Sequence, residues 1–234
     1  FLPLVVFWWR GWITRPLARV ITGIIVLGGL QGAMGWYMVR SGLVDNPAVS
    51  PFRLTAHLLL AFAIFAALWW TALGLRRPDG RPAAAALRRH AWLVTGLVLY
   101  MVTTGGFVAG THAGLTFNTF PLMGGRLVPP DVWMLSPWWH NLYANLATVQ
   151  FDHRLGFWAL AILLPWLWWR VRRDLPGRTA TAAGWLLAMY VVQAALGITT
   201  LLLAVPVPIA VLHQGGAMLL FGASIGLNHA LNRS

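Results

Sequence analysis

Six long apolar stretches constrain the fold of this chain more than any other feature. A membrane-spanning helix requires about 20 apolar residues. The stretches are 16–39, 54–75, 91–109, 144–169, 180–203 and 207–228. Charged residues make up only 9% of the 234 residues, against about 25% in soluble domains. The sequence therefore predicts an all-α, polytopic membrane protein with six complete transmembrane helices. The apolar segment from Phe1 to Trp9 is too short to span, so we interpret it as the end of a helix that begins upstream.

The arginines predict how these helices are oriented. All 17 basic residues are arginine, and the gaps between spans alternate between arginine-rich and arginine-poor. Because positive loops stay in the cytoplasm, the first, third and fifth gaps and the C-terminus are expected there. The net charge of +12 is thus explained by topology, and no nucleic-acid partner is expected. The chain has no cysteine, which excludes disulfides and thiolate metal sites.

An internal repeat relates the two halves of the chain. Leu2-Pro3 recurs as Leu164-Pro165, and Gln31-x-x-x-Gly35 recurs as Gln193-x-x-x-Gly197, in the same register. Both copies run in the same direction across the membrane, and such repeats are typical of two related helix bundles. The second copy also holds a histidine before its proline. Its counterpart would lie about nine residues before Phe1, so the intact protein is expected to have four core histidines.

Three histidines lie at a similar depth toward the outer face. His57, His153 and His213 each follow the start of a span that enters from outside. Ionisable groups inside a membrane helix indicate function, and neutral imidazole is a common axial ligand of heme iron. The alternative is that they form interhelical hydrogen bonds. Three histidines at one depth in a repeated context favour heme ligation.

Two charged residues flank the middle histidine of this set. Arg154 is a candidate partner for a heme propionate, because guanidinium matches carboxylate geometry. Asp152 could orient nearby groups or transfer protons. The alternative for the pair is a local ion pair. Arg40 and Arg53 could also reach propionates, although snorkelling at the membrane interface explains them better.

The other histidines are weaker candidates. We expect His90 and His229 to be solvated at the cytoplasmic face. His140 lies beside two tryptophans, which is typical of an interfacial aromatic belt. His112, in the outer loop, is assigned to no site.

Several longer strings resemble the heme A synthase family. They are Gln31-Gly32-Ala33-Met34-Gly35-Trp36-Tyr37-Met38-Val39-Arg40-Ser41-Gly42-Leu43, Val49-Ser50 with Arg53-Leu54, Ala113-Gly114-Leu115, Asn118-Thr119-Phe120-Pro121-Leu122-Met123, Val149-Gln150-Phe151-Asp152-His153-Arg154 and Leu212-His213-Gln214. The match extends from about Phe1 to Phe221 and is most similar to the cysteine-free branch of proteobacteria and mitochondria.

The resemblance implies an eight-helix protein of two four-helix bundles in the bacterial inner membrane, with both heme sites toward the periplasm. Such proteins oxidise a methyl group of heme O to a formyl group, giving heme A for the terminal cytochrome oxidase. Heme b would lie between His153 and His213, and the substrate heme would bind His57. A second histidine and a glutamate would lie upstream of Phe1. The chain as given lacks the first helix and most of the second, so it is expected to be inactive alone.

The implied domains are a partial N-terminal bundle at 1–109, an extracytoplasmic loop at 110–143, and a C-terminal bundle at 144–234 completed by helix 91–109. The expected partners are membrane lipid, heme O synthase or oxidase assembly factors, and further copies of the chain in a homo-oligomer.

Two alternatives belong to other functional classes. A diheme b-type, quinol-linked electron-transfer subunit would use the same ligands without modifying heme. A transporter of inverted repeats would carry copies that face opposite ways, and the parallel orientation of the repeat counts against it.

Overall fold

The computed structural model describes residues 2–40, 49–75 and 82–232, and within these ranges the chain is helical, without a β-strand. The helices are α1 Leu2–Trp9, α2 Arg15–Arg40, α3 Pro51–Gly74, α4 Ala85–Thr111, α5 Asn141–Ala144, α6 Leu146–Asp174, α7 Arg178–Leu202 and α8 Val207–Leu231. The motif residues Ser41-Gly42-Leu43 lie outside the described residues, as do Asp45, Arg76, Arg77, Asp79 and Arg81, which are charged residues of the gaps between the predicted spans.

Five helices, namely α2, α3, α4, α7 and α8, are long and apolar enough to cross a membrane. Each coincides with one of the spans predicted from the sequence, which confirms an all-α polytopic membrane protein. Proline stands in the first turn of α3 and of α8, where its missing N–H is not needed by the helix. These starts are therefore encoded locally.

The sixth predicted span is α6, which is helical over 29 residues. At 1.5 Å per residue it is about 43 Å long, enough to cross the bilayer. Because Asp152 and Arg154 stand near its start and three arginines near its end, α6 is less apolar than the other five helices. Asn145 caps its start by accepting hydrogen bonds from the backbone N–H groups of Ala147 and Thr148. That α6 crosses the membrane remains a prediction supported by its length.

The chain divides into two compact units, Phe1–Arg76 and Arg77–Ser234. In the second unit α4 packs on α6 and α8, and α7 packs on the same two helices. These four helices therefore form a closed four-helix bundle. Its core is aliphatic, with Leu87, Val94, Val98, Leu160, Leu164, Leu167, Leu186 and Leu227 fully buried. In the first unit α2 packs on α3, and α1 contacts α2.

The structure corrects the prediction that His90 and His229 are solvated. Both are buried, at 6% and 9% exposure. His90 Nε2 lies 3.1 Å from the Leu163 carbonyl on α6, and Arg170 Nη1 lies 3.3 Å from His90 Nδ1. The prediction was wrong because position along the helix gives depth in the membrane but not which face points into the bundle.

Candidate functional site

His153 and His213 lie at the same end of the four-helix bundle. Each stands near the start of its helix, α6 or α8, and these two helices run in the same direction through the bundle. The structure thus brings together two of the three predicted histidines. Their helices do not follow one another in the chain, so the bundle itself creates the pair.

A hydrogen bond between the His153 ring and Thr104 on α4 defines the orientation of the ring. His153 Nδ1 lies 2.9 Å from the Thr104 hydroxyl oxygen, and that hydroxyl is 3.1 Å from the Tyr100 carbonyl. The single hydroxyl proton is donated to the carbonyl, so the oxygen accepts from the Nδ1–H of the ring. This tautomer leaves the Nε2 lone pair free to bind a metal.

The His213 ring has a different environment. Gln193 on α7 donates from its amide to the backbone carbonyl of His213, at 2.8 Å. The ring nitrogen Nδ1 is buried and has no hydrogen-bond partner. Buried polar atoms are nearly always paired. No interhelical side-chain hydrogen bond therefore explains this buried imidazole as a simple packing contact.

The first unit repeats this arrangement around His57. The side-chain amide nitrogen of Gln31 on α2 lies 3.2 Å from His57 Nε2, and His57 Nδ1 is buried without a hydrogen-bond partner. The glutamine and histidine predicted from the repeat are thus in contact in both units. The contacts differ, since Gln31 meets the ring of its histidine whereas Gln193 meets the backbone.

The described residues do not form a bare metal-ion site. Among them, no group of three or more His, Cys, Asp or Glu side chains is placed to hold a metal ion. A pair of imidazoles can instead supply the two axial ligands of a heme, whose porphyrin fills the remaining positions on the iron. The donor set of the second unit fits a heme.

The structure places Arg154 against the loop that joins α4 to α5. The side chain is only 8% exposed, and its guanidinium donates to the carbonyls of Phe117, Pro121 and Leu122 at 3.0–3.3 Å. Gln150, one turn earlier on α6, donates to the carbonyls of Ala113 and Phe117. Together these two side chains fasten residues 113–122 to α6.

Neither flanking charge forms the local ion pair considered above. Within the described ranges the ion pair joins Arg173 and Asp174 at the far end of α6, at 2.6 Å, and this hydrogen bond lowers the pKa of Asp174. Asp152 is half-buried, and its backbone carbonyl accepts from the Tyr100 hydroxyl at 3.4 Å. Its proposed role in proton transfer stays a prediction.

The two arginines of the first unit lie over aromatic rings. Arg40 stands 4.9 Å from the Trp36 ring centroid, and Arg53 stands 4.3 Å from that of Tyr37. These cation–π contacts are typical of side chains at a membrane interface.

Sequence reasoning missed Thr104, Gln150 and Asn118 as site-shaping residues. Asn118 donates to the carbonyls of Gly114 and Leu201, which ties the loop to the end of α7. The spacing of Gln150 and Arg154, four residues apart on one helix face, was the available signal for a polar anchor. Thr104 gave none, because threonines are common in apolar helices.

Replacing Arg154 with alanine is expected to release the loop between α4 and α5. The change leaves three carbonyls without their charged donor and should cost about 3 kcal/mol of stability. Limited proteolysis of residues 113–122 should become faster. Arg126→Ala, an exposed arginine in the same loop, is the control and should cleave like the unmodified protein. Equal protection in both variants would contradict the anchoring role.

The fold and the site define a class: multi-span helical membrane proteins with paired imidazoles inside a helix bundle. Residues 1–225 match the model of a family described as cytochrome oxidase assembly protein. The chain belongs to this family.

Similar proteins include three named heme A synthase. The first, from Nitrosospira multiformis, is 52% identical over 100% of this chain and 67% of its own length. The second, from Nitrosomonas eutropha, is 50% identical over 96% of this chain and 65% of its own. The third, from Rhodospirillum centenum, is 46% identical over 98% and 62%. The chain thus spans about two thirds of the relatives it matches, and the predicted family is confirmed.

Proposed function

We propose that the protein oxidises the methyl group of heme O to the formyl group of heme A, for use by the terminal cytochrome oxidase. The names of its relatives support this activity over that of a quinol-linked electron-transfer subunit. The observation that carries the proposal is the pairing of His153 and His213 at one end of a four-helix bundle, with His57 in a repeated setting in the other unit.

The four-helix bundle of the second unit, called the second bundle below, is proposed to hold a resident heme of b type. His153 and His213 would bind its iron through Nε2, with Thr104 fixing the ring of His153 from behind. Such a heme supplies one-electron transfer at its iron. Two imidazoles on one iron leave no position for oxygen, so we assign this site to electron transfer rather than to the oxidation itself.

The first unit is proposed to take the substrate, heme O. His57 would bind the substrate iron, and the Gln31 amide is placed to hold the imidazole whenever Nε2 is off the metal. No side chain can oxidise a methyl group by itself. The protein therefore contributes position and electrostatics. The four electrons removed from the methyl group would pass through the bound hemes to an external oxidant such as dioxygen, and the oxygen atom of the formyl group would come from dioxygen or water.

The remaining site residues are proposed in supporting roles. Arg154 holds the loop beside the second bundle through its carbonyl bonds, and a propionate contact would have to share the same guanidinium. Asp152, next to His153, is proposed to orient neighbouring groups or move protons.

We further propose that the protein lies in the bacterial inner membrane with both heme sites toward the periplasm. Arg88 and Arg89 at the start of α4 and Arg170 and Arg172 at the end of α6 lie at the bundle end opposite His153. Positive residues favour the cytoplasm, which leaves the histidines on the outer side. Heme O synthase, oxidase assembly factors and further copies of the chain are the proposed partners.

Product analysis tests the proposed activity. The natural protein should convert heme O into heme A in a strain without its own enzyme, as measured by chromatography of extracted hemes. A diheme electron-transfer subunit would leave heme O unchanged, and that result would overturn the proposal.

Replacing Thr104 with valine is expected to loosen the resident heme. The valine cannot accept from His153 Nδ1–H, and loss of such an outer partner typically lowers metal affinity about 10–100-fold. Heme retained per protein after detergent washing measures the effect. Thr103→Val is the control, because the Thr103 hydroxyl donates to the Leu99 carbonyl of its own helix. Equal heme retention in the two variants would exclude the role given to Thr104.

A further inference from the structure

Each of the three histidine rings lies against a glycine on a neighbouring helix that comes earlier in the chain. A Cβ atom built on Gly35 would lie 3.2 Å from Cε1 of His57, and one on Gly105 would lie 3.3 Å from Cε1 of His153. On Gly197 it would lie 2.8 Å from Cε1 of His213, with both ring nitrogens within 3.4 Å. The same contact therefore occurs three times, on three pairs of helices.

Only glycine, which has no Cβ atom, allows the imidazole rings to come this close to the helix. Real Cβ atoms essentially never approach another atom within 3.0 Å, and contacts of 3.0–3.4 Å require the neighbour to move. Without a Cβ, the imidazole can lie against the helix backbone. Glycine in a helix interior is otherwise unfavourable, so its presence opposite all three rings calls for a local cause.

We propose that Gly35, Gly105 and Gly197 are positioning residues that set the orientation of the heme-ligating imidazoles. The inference rests on the proposed function, because it takes the three histidines as ligands. An axial imidazole can rotate about its bond to iron, and its orientation affects the electronic state of the iron. The glycine fixes that rotation by holding one edge of the ring against the neighbouring helix.

Both units use this arrangement, although they hold different hemes in the proposal. Gly35 and Gly197 occupy equivalent positions in the repeat, four residues after Gln31 and Gln193. In each unit the glutamine, one helical turn before the glycine, contacts the histidine residue, and the glycine contacts the imidazole ring of the same histidine. The glutamine and the glycine therefore hold each histidine at two points.

The geometry predicts a graded response to alanine. Gly197→Ala brings its Cβ closest, against three ring atoms, and should lower heme retention about tenfold, as loss of an outer-shell partner does. It should also shift the low-field electron paramagnetic resonance (EPR) signal of the ferric heme. Gly105→Ala should shift that signal less, because its neighbour needs to move by only a few tenths of an ångström.

The first unit gives a separate prediction. Gly35→Ala should lower kcat/KM for heme O about tenfold, by the same argument. The EPR signal of the second bundle should stay unchanged in this variant. A defect in folding would alter both readouts together, so the split between them identifies a positioning role.

Each variant has a control on its own helix. Gly29 on α2 and Gly96 on α4 have no heavy atom within 4 Å of an added Cβ, and on α7 the Cβ of Gly184→Ala would meet Trp168 at an ordinary 3.6 Å. Alanine is the better helix former, so these controls should accumulate in the membrane and keep the signal and the activity of the natural protein.

The experiment compares the six variants in the natural protein, purified in detergent, by EPR and by heme content. The expected result is an altered signal in Gly197→Ala and Gly105→Ala with unaltered controls. If Gly197→Ala does not accumulate in the membrane, the test rests on the EPR signal of Gly105→Ala and on kcat/KM for heme O of Gly35→Ala. An EPR signal of Gly105→Ala identical to that of the unmodified protein, together with an unchanged kcat/KM for heme O in Gly35→Ala, would overturn the positioning role while leaving heme ligation standing. An absence of any heme signal in the unmodified protein would instead overturn the proposed function.

Discussion

His153→Ala and His213→Ala are each expected to abolish the low-spin, b-type heme signal of the protein. The two rings come from α6 and α8 and lie at one end of the bundle, so either substitution removes one of the two proposed axial ligands. A ferric heme with one imidazole becomes high-spin or is lost. Optical and EPR spectra of the purified variants measure the change.

The control for this pair is His112→Asn. His112 is exposed and ends α4 with a left-handed backbone, φ 57°, a conformation that asparagine tolerates. Its spectrum should match that of the unmodified protein. Persistence of the low-spin signal in both His153→Ala and His213→Ala would show that other residues bind the iron.

His57→Ala is expected to lower heme O conversion by at least about 100-fold. A direct ligand of the substrate iron should matter more than an outer-shell partner, whose loss costs about 10–100-fold. His57 belongs to the first unit, so the low-spin signal of the second bundle should remain. Heme A formed per protein, measured by chromatography, gives the size of the effect.

The unchanged heme signal is the internal control of that variant, since it shows that the protein has folded. Heme A formation at the normal rate with His57→Ala would contradict the assignment of His57 to the substrate. Loss of both the signal and the activity would show that the substitution acts on the whole fold.

The helices could be predicted from the sequence because the bilayer imposes a length on each apolar segment. The predicted spans 180–203 and 207–228 correspond to α7 Arg178–Leu202 and α8 Val207–Leu231. The repeat aligned Gln31 with Gln193, and the structure adds that Gln31 contacts His57 and Gln193 contacts His213. The family resemblance is confirmed by the comparisons. The division into domains stays a prediction.

The residues that contact the histidines could not be predicted from the sequence, for a physical reason. A membrane helix is apolar on faces that meet lipid as well as on faces that meet protein, so its sequence gives little indication of which residues point inward. Thr104 and Gly105 could not be assigned to His153 for that reason, and His90 was wrongly expected to be solvated. The partners of Arg154 depend on how the loop between α4 and α5 folds back onto α6, which no local pattern encodes.

The most direct measurement is pulsed EPR of the purified protein carrying histidine labelled with nitrogen-15. If imidazoles from α6 and α8 clasp the iron, the ferric heme should show strong coupling to two labelled nitrogens. His213→Ala should lose the coupling of its own ring. A heme without coupling to labelled nitrogen, or a protein that stays colourless when heme is plentiful, would contradict the account.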